Sequence, residues 1–244
     1  MKTGDSCVVG GERKPTMAKI RDERTGTDEL LRDGRFHYAA LLADPEAAHL
    51  AAAVKKKLDA LGQAQAATQA AELQRLEKQA LAVRAEYLHD RKHSSVELLV
   101  LGAVARNRRA PAYQDVYPHG LSMLIALSGE DQERAVTGML DKLATHHPEL
   151  HRKYGKELQK LAADATAAEK GLKDAQVQED RAFLAEQSAR SELSQQLRRN
   201  SGALISLFPE DPSLIRLYFR KLSKKRPTPP TPVAPSPSTP PAQP

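Results

Sequence analysis

The histidines are the residues whose spacing comes nearest to a metal site. His89 and His93 are four residues apart, as are His147 and His151. On a helix each pair would share one face and could ligate a metal ion. Glu86 and His89 also have the Glu-x-x-His spacing that occurs in di-iron helical bundles. The pattern therefore raises the hypothesis of a helical metal-binding protein.

Other features of the sequence argue against a metal site. Di-iron sites need two Glu-x-x-His motifs and two more glutamates brought together in one bundle, and a spacing match this short recurs by chance. Pro148 disturbs the helix at the second histidine pair. Charged residues 90–92 separate His89 from His93 and mark a polar helix face. We therefore predict solvated histidines and no metal cofactor, with Glu86, His89 and His93 as the only candidate ligands.

The templates for enzymatic chemistry do not fit the sequence. Gly10 and Gly11 do not form a phosphate loop, because charged residues 12–14 follow them and no strand precedes them. A Gly-x-Ser-x-Gly nucleophile elbow is missing. The single cysteine, Cys7, excludes an intrachain disulfide and lies in a predicted tail, where no base could be held against it. We predict no catalytic residue, no cofactor and a non-enzymatic function.

The C-terminal tail has the most specific interaction pattern. Residues 227–244 hold nine prolines in 18 positions, which predicts a solvated polyproline-II segment. Two overlapping matches combine a base with two prolines, so that the prolines would face an aromatic groove and the base an acidic rim. A passive spacer is the alternative. The predicted partner-binding residues are Lys224, Arg226, Pro227, Pro229, Pro230 and Pro232.

The positive charge of the chain is concentrated in one short segment. The net charge is +6, and residues 220–226 supply five bases and no acid. Residues 36–219 sum to zero, whereas a DNA-binding domain usually carries its charge across a folded face. Nucleic-acid association through residues 220–226, helped by Arg106, Arg108 and Arg109, is therefore kept as an alternative function.

The apolar segments are too short for a membrane span. The longest, Val96 to Val104, contains Glu97 and falls far short of the roughly 20 residues that cross a bilayer. The N-terminus lacks the apolar run of a signal peptide. We expect a cytoplasmic protein without a transmembrane segment, and Met17 is an alternative start of the chain.

Apolar periodicity predicts that helices position all these residues. Residues 28–43 indicate a short helix or a turn-rich segment. Asp44 and Pro45 would then start a long one, as N-cap and first helical residue. We expect it to continue through Gly62, where a hinge is the alternative. Its apolar stripe, at heptad spacing, consists of Leu73, Leu76, Ala80, Val83 and Tyr87.

Shorter segments should interrupt the long helices. Ser94 and Glu97 have the spacing of a capping box, which predicts a break near His93. Residues 96–104, apolar all round, should then form a buried short helix. A second short apolar piece follows at residues 121–127.

The second half of the chain is also predicted to form long helices. Ser128 would start a helix that Pro148 ends, and residues 149–199 would form the next helix. A short apolar piece at 204–208 and a final helix opened by Asp211 complete the domain. The seam of the long helix consists of Tyr154, Leu158, Leu161, Ala165, Ala168, Leu172 and Ala175.

Together these patterns predict an all-α fold of long antiparallel helices, as a helical bundle or as coiled-coil hairpins. The short apolar helices would form a head. The helical domain spans residues 28–223, between disordered tails at 1–27 and 224–244. The function that fits best is a structural or adaptor role. The helices would mediate self-association or partner binding, and the Pro-rich tail would recruit a partner or act as a tether.

Overall fold

The chain is all-helical over the residues that the computed structural model describes, 25–221. The predicted all-α class is confirmed, and no strand occurs in that range. The predicted tails lie outside the described residues, except that Thr27 already belongs to the first helix. The helices are α1 (Thr27–Leu42), α2 (Ala51–Ala103), α3 (Pro111–Val116), α4 (Leu121–Ile125), α5 (Gly129–His146), α6 (Pro148–Leu207) and α7 (Pro212–Ile215), with 3-10 turns at Ala48–Leu50 and Arg216–Tyr218.

Two very long helices, α2 and α6, dominate the fold. They have 53 and 60 residues, so they are about 80 and 90 Å long at 1.5 Å per residue. Ion pairs join them from one end to the other. The partner number on α6 falls as the number on α2 rises: Lys57 pairs with Glu192 at 2.7 Å, Arg75 with Glu179 at 2.5 Å, and Lys92 with Glu157 at 2.6 Å.

Small and polar side chains line the middle of the seam between α2 and α6. On α2 the half-buried positions recur at intervals of three and four residues, the period of a helix packed along its length on a partner. Short side chains there let two helices approach closely. The α2 residues of this seam are Thr68, Ala71, Arg75, Lys78, Ala82 and Ala85, followed by the buried His89.

The predicted apolar stripe of α2 does not form this seam. Leu73, Leu76, Val83 and Tyr87 are 46–63% exposed. The prediction named the wrong face, because it assumed that the largest apolar residues must face the partner helix. The stripe predicted for α6 does face inward. Its members are buried or half-buried.

Large apolar residues are buried at the two ends of the long pair, in two separate cores. The first core joins α1, the start of α2, the end of α6 and the C-terminal turns, and includes Leu30, Leu61 and Leu193. The second joins the end of α2, α3 to α5 and the start of α6, and includes Val100 and Leu158. Between Leu61 and Val96, His89 and His93 are the only buried side chains of α2.

The short apolar pieces therefore do not form the single predicted head. Residues 96–104 are the last turns of α2 and contribute to the second core, whereas Leu204 contributes to the first. The piece at 96–104 is also not buried all round, since Leu98 is 67% exposed. The pieces at 96–104 and 204–208 are ends of long helices and lie in different cores, whereas the piece at 121–127 contains the separate helix α4 and contributes Leu124 to the second core.

Two predicted helix starts are wrong. Asp44 and Pro45 lie in a turn, where Asp44 Oδ1 accepts a hydrogen bond from the Glu46 amide at 3.0 Å, and α2 begins only at Ala51. Ser94 and Glu97 lie inside α2, which continues without a break at His93. A capping box acts only where the chain enters a helix, and here the preceding residues are already helical.

Three local signals are confirmed. Ser128 precedes α5, and Pro148 separates α5 from α6 as its first residue. Asp211 caps α7, since its carboxylate accepts from the amides of Ser213 and Leu214 at 3.0 and 3.2 Å. The predicted end of the long helix near residue 199 is eight residues early, because α6 continues to Leu207.

Helix α2 runs through Gly62 as predicted, and an added methyl group there meets no atom within 4 Å. We expect Gly62→Ala to stabilise the protein by about 1 kcal/mol, because alanine favours the helix over glycine by that amount. Urea unfolding followed by circular dichroism measures this change. The matched control is Gly120→Ala, which should destabilise, because Gly120 has a left-handed φ of 78°. A loss of stability for Gly62→Ala would indicate that α2 bends at this residue.

The C-terminus of α2 uses an alanine where glycine is usual. The Arg106 amide donates to the Leu101 carbonyl at 2.7 Å, which places Ala105 in the left-handed position of a Schellman motif, with φ of 52°. Glycine adopts this conformation without strain. We expect Ala105→Gly to raise the free energy of unfolding by about 1 kcal/mol, measured by urea titration. Ala103→Gly, inside the helix, is the control and should lower it.

Candidate functional site

The two histidines predicted as metal ligands are buried, and this contradicts the prediction that they are solvated. His89 and His93 have no exposed surface, and their ring centroids are 4.3 Å apart. His89 Nδ1 is 3.1 Å from Asp90 Oδ1 and 3.4 Å from Gln132 Nε2, so a residue of α5 contacts the buried ring. The flanking charged residues suggested a polar face, but the histidines themselves point to the junction with α5 and α6.

The environment of His93 favours a neutral ring. Burial, together with the smaller effect of the nearby His89, lowers its pKa to about 3. Neither ring nitrogen of His93, nor Nε2 of His89, has a hydrogen-bond partner among the described residues. Glu86, the third candidate ligand, is exposed on the surface of α2. Over residues 25–221 no three side chains of His, Cys, Asp or Glu lie close enough together to hold a metal ion.

Another buried histidine, His37, anchors the C-terminal turns to the first core. His37 Nδ1 lies 2.9 Å from the Tyr218 carbonyl, and its Nε2 lies 3.1 Å from Asn200 Nδ2. These contacts define a neutral tautomer in which Nδ1 donates and Nε2 accepts. Burial lowers the pKa of His37, and the ring stacks on Phe219 at 4.5 Å. The Tyr218 hydroxyl donates to Asp44, so α1, α6 and the C-terminal turns are tied together.

A buried carboxylate organises the second core. Glu97 is 7% exposed and accepts a hydrogen bond from the Tyr113 hydroxyl at 2.6 Å and one from Arg108 at 3.3 Å. Burial and this carboxylate raise the pKa of Tyr113 to about 12. Burial also raises the pKa of Tyr117, whose hydroxyl has no partner among the described groups. The hydrogen bond from Tyr113 to Glu97 fixes α3 against α2. Because their pKa values are raised, both tyrosines stay protonated and uncharged near neutral pH.

Next to this cluster, α3, α4 and α5 border a half-open apolar cavity of about 470 Å³. Tyr117, Leu124 and Met139 form much of its wall, and Lys142 is its cationic residue. Asp115, at its edge, is ion-paired with His146 at 2.8 Å.

The outer face of α2 is the most extensive exposed apolar feature of the long pair. The residues Leu73, Leu76, Ala80, Val83 and Tyr87, here called the outer stripe, recur at heptad spacing. At 100° per residue they lie roughly opposite the seam that faces α6. Leu81 and Leu88, which are 55% and 38% exposed, lie on one side of the outer stripe, beyond Glu77 and Arg84.

The basic residues singled out from the sequence lie in two separate places on the described surface. Arg106, Arg108 and Arg109 are exposed in the loop after α2, as predicted for a helix C-terminus. Arg220, the first base of segment 220–226, forms an ion pair with Asp33 at 2.8 Å. The predicted tail residues Lys224, Arg226, Pro227, Pro229, Pro230 and Pro232 lie outside the described residues.

The buried polar groups Glu97, His37 and Asn200 were not singled out from the sequence as important. Glu97 interrupts an apolar run and was assigned to a capping box, and neither pattern predicted its role in the second core. His37 and Asn200 are far apart in the chain, and no local pattern connects them.

Comparison of the sequence and the fold with known proteins leaves the function open. No family model, no curated protein and no solved structure matches the chain. Within residues 25–221, no helix combines the length and the apolar composition needed to cross a membrane.

Proposed function

We propose that this protein is a non-enzymatic structural or adaptor protein of the cytoplasm. Helices α2 and α6 act as an antiparallel coiled-coil rod that mediates self-association or partner binding, and the Pro-rich segment recruits a partner or acts as a tether. The observation that carries this proposal is the outer stripe. Five residues at heptad spacing remain exposed on a helix whose other face is already covered by α6.

The antiparallel rod is supported by the order of the ion pairs. Lys57, Arg75 and Lys92 follow one another along α2, while their partners on α6 run backward from residue 192 to 157. A seam of alanines and paired charges buries little apolar area, so most of the hydrophobic stabilisation comes from the two end cores. Such a rod holds its ends at a fixed separation, which suits a spacer or a scaffold.

The alternative functions draw less support. Nucleic-acid association through residues 220–226 would use Arg220, whose guanidinium is already paired with Asp33. It predicts binding that weakens steeply as salt is raised. A metal-binding function would rest on His89 and His93, for which the described residues offer no third ligand of the usual types.

The experiment that tests the adaptor proposal is partner capture from nuclease-treated lysate with three baits. These are the full chain, a chain ending at Ser223, and the full chain carrying Leu76→Gln and Val83→Gln in the outer stripe. Proteins lost only with the shortened bait would assign recruitment to the tail. Proteins lost only with the stripe variant would assign it to α2. If the three baits retain the same proteins and none self-associates, the proposal is wrong.

A further inference from the structure

We propose that the outer stripe of α2 binds the outer stripe of a second copy of this chain, with the two α2 helices antiparallel and centred between Leu81 and Ala82. This inference rests on the proposed interaction function and specifies its partner. With Leu73 at position a of a heptad, the outer stripe occupies a and d, and the seam toward α6 occupies c and f, on the other side of the helix. One helix thus has two separate packing faces.

The proposed centre pairs large side chains with smaller ones. In this register Leu76 of one chain packs against Tyr87 of the other, and Ala80 packs against Val83, each contact occurring twice through the two-fold axis. Leu76, Val83 and Tyr87 are 46%, 60% and 59% exposed in the single chain, so each has substantial apolar surface to bury. A parallel, in-register pair would instead place Ala80 against its own copy and leave a gap at the centre.

The charges beside the outer stripe select the same register. In antiparallel helices the e positions of the two chains face each other, and here they are Glu77 and Arg84, both exposed. At the proposed centre Glu77 of each chain faces Arg84 of the other, which gives two attractive pairs. On the remaining flank, Gln79 faces Glu86 and adds no repulsion.

Neighbouring registers are less favourable. A shift of one heptad toward the N-terminus places Glu77 opposite its own copy and Glu72 opposite Glu86, which are like charges. The opposite shift places Arg84 opposite its own copy and moves Asp90 inward from the ends of the contact, where it faces Leu73 in the proposed register, to a position facing Ala80. The parallel pair places Glu72 opposite Glu77. The proposed register combines four apolar layers with no like-charge contact.

The size of the stripe sets the expected strength. It covers only two heptads, and interfaces at the small end of the range belong to weak, reversible complexes. We therefore expect a monomer–dimer equilibrium that depends on concentration. The surrounding polar residues Gln69 and Asp90 end the apolar surface on either side.

A charge-reversal experiment tests partner and register together. Sedimentation equilibrium of the full chain should show reversible dimers, and Glu77→Arg or Arg84→Glu alone should weaken association about tenfold. The double variant should regain dimerisation, and so should an equal mixture of the two single variants, because each then meets an opposite charge in the other chain. Residues 77 and 84 are seven positions apart on one helix and do not contact each other, so a purely structural effect would not be rescued by mixing.

Disulfide trapping tests the orientation independently. In a Cys7→Ser background, chains carrying Ala80→Cys and chains carrying Val83→Cys should cross-link efficiently only when mixed, since residue 80 faces residue 83 of the partner. Efficient cross-linking of each variant with itself would indicate a parallel pair and overturn the proposal.

The outcomes separate this inference from the proposed function. A chain that stays monomeric at its highest soluble concentration, or dimers that do not respond to the charge reversals, would reject self-pairing through the outer stripe. If the Leu76→Gln, Val83→Gln bait still loses captured proteins, the adaptor role stands and the occupant of the stripe is a different protein. A monomeric chain with no captured partner would reject both.

Discussion

Acidification from neutral pH to about pH 4 should lower the free energy of unfolding by roughly 3 kcal/mol through His93 alone. The folded protein holds this ring neutral, with its pKa lowered to about 3 by burial in the junction of α2 with α5 and α6. The unfolded chain takes up a proton near the ordinary value of 6.5. Below that pH the unfolded state binds more protons than the folded state, and unfolding becomes more favourable.

The sign and the pH window follow from these two values. The contribution of His93 is fully present above pH 6.5 and is lost as the pH falls toward 3. Within this window the slope approaches about 1.4 kcal/mol per pH unit, since one proton separates the two states. His37, whose pKa is also lowered by burial, acts in the same direction from the other core.

The measurement is urea unfolding at a series of pH values. His93→Leu removes the titrating ring and replaces partnerless nitrogens with carbon, so we expect similar stability at alkaline pH and a shallower acid decline. His119→Leu is the control, because His119 is exposed, and it should leave the slope unchanged. An identical acid slope in wild type and His93→Leu would show that His93 does not titrate as described.

The sequence predicted those parts of the fold that depend on local chemistry. Ser128 before α5, Pro148 between α5 and α6 and Asp211 before α7 act through backbone groups of neighbouring residues, so their effect can be read without the tertiary structure. The capping-box pattern at Ser94 failed because a local pattern does not show whether the preceding residues are already helical. It satisfies the amides of a helix terminus, and residues 51–93 had already formed the helix.

The faces that the long helices turn inward could not be predicted from apolar size. Residues such as Ala82 and Ala85 are weakly apolar and gave no strong signal, but they pack against α6 because their small size permits close approach. Leu73 and Tyr87 gave the stronger heptad signal and remain outside. The candidate histidines show a related effect, since their charged neighbours at residues 90–92 concealed their burial.

Cavities in the two cores should affect opposite ends of the molecule. Leu193 and Leu158 are completely buried, one in each core. Leu193→Ala and Leu158→Ala should each lower the free energy of unfolding by about 2–5 kcal/mol, because each removes buried apolar contacts and leaves a cavity. Leu98→Ala, at a 67% exposed position of α2, is the control and should change it by less than about 0.5 kcal/mol.

Hydrogen exchange should then show where protection is lost. Leu61 and Val96, the last and first buried apolar residues of α2 on either side of the middle, are about 50 Å apart along the helix. Only the alanine-rich seam, His89 and His93 connect the two cores. Leu193→Ala should therefore increase exchange in α1 and α7 and leave α3 and α5 protected, and Leu158→Ala should do the reverse. If both variants released both ends together, the ion-paired seam would have to couple the cores as strongly as apolar packing does, and the rod would unfold as one cooperative unit.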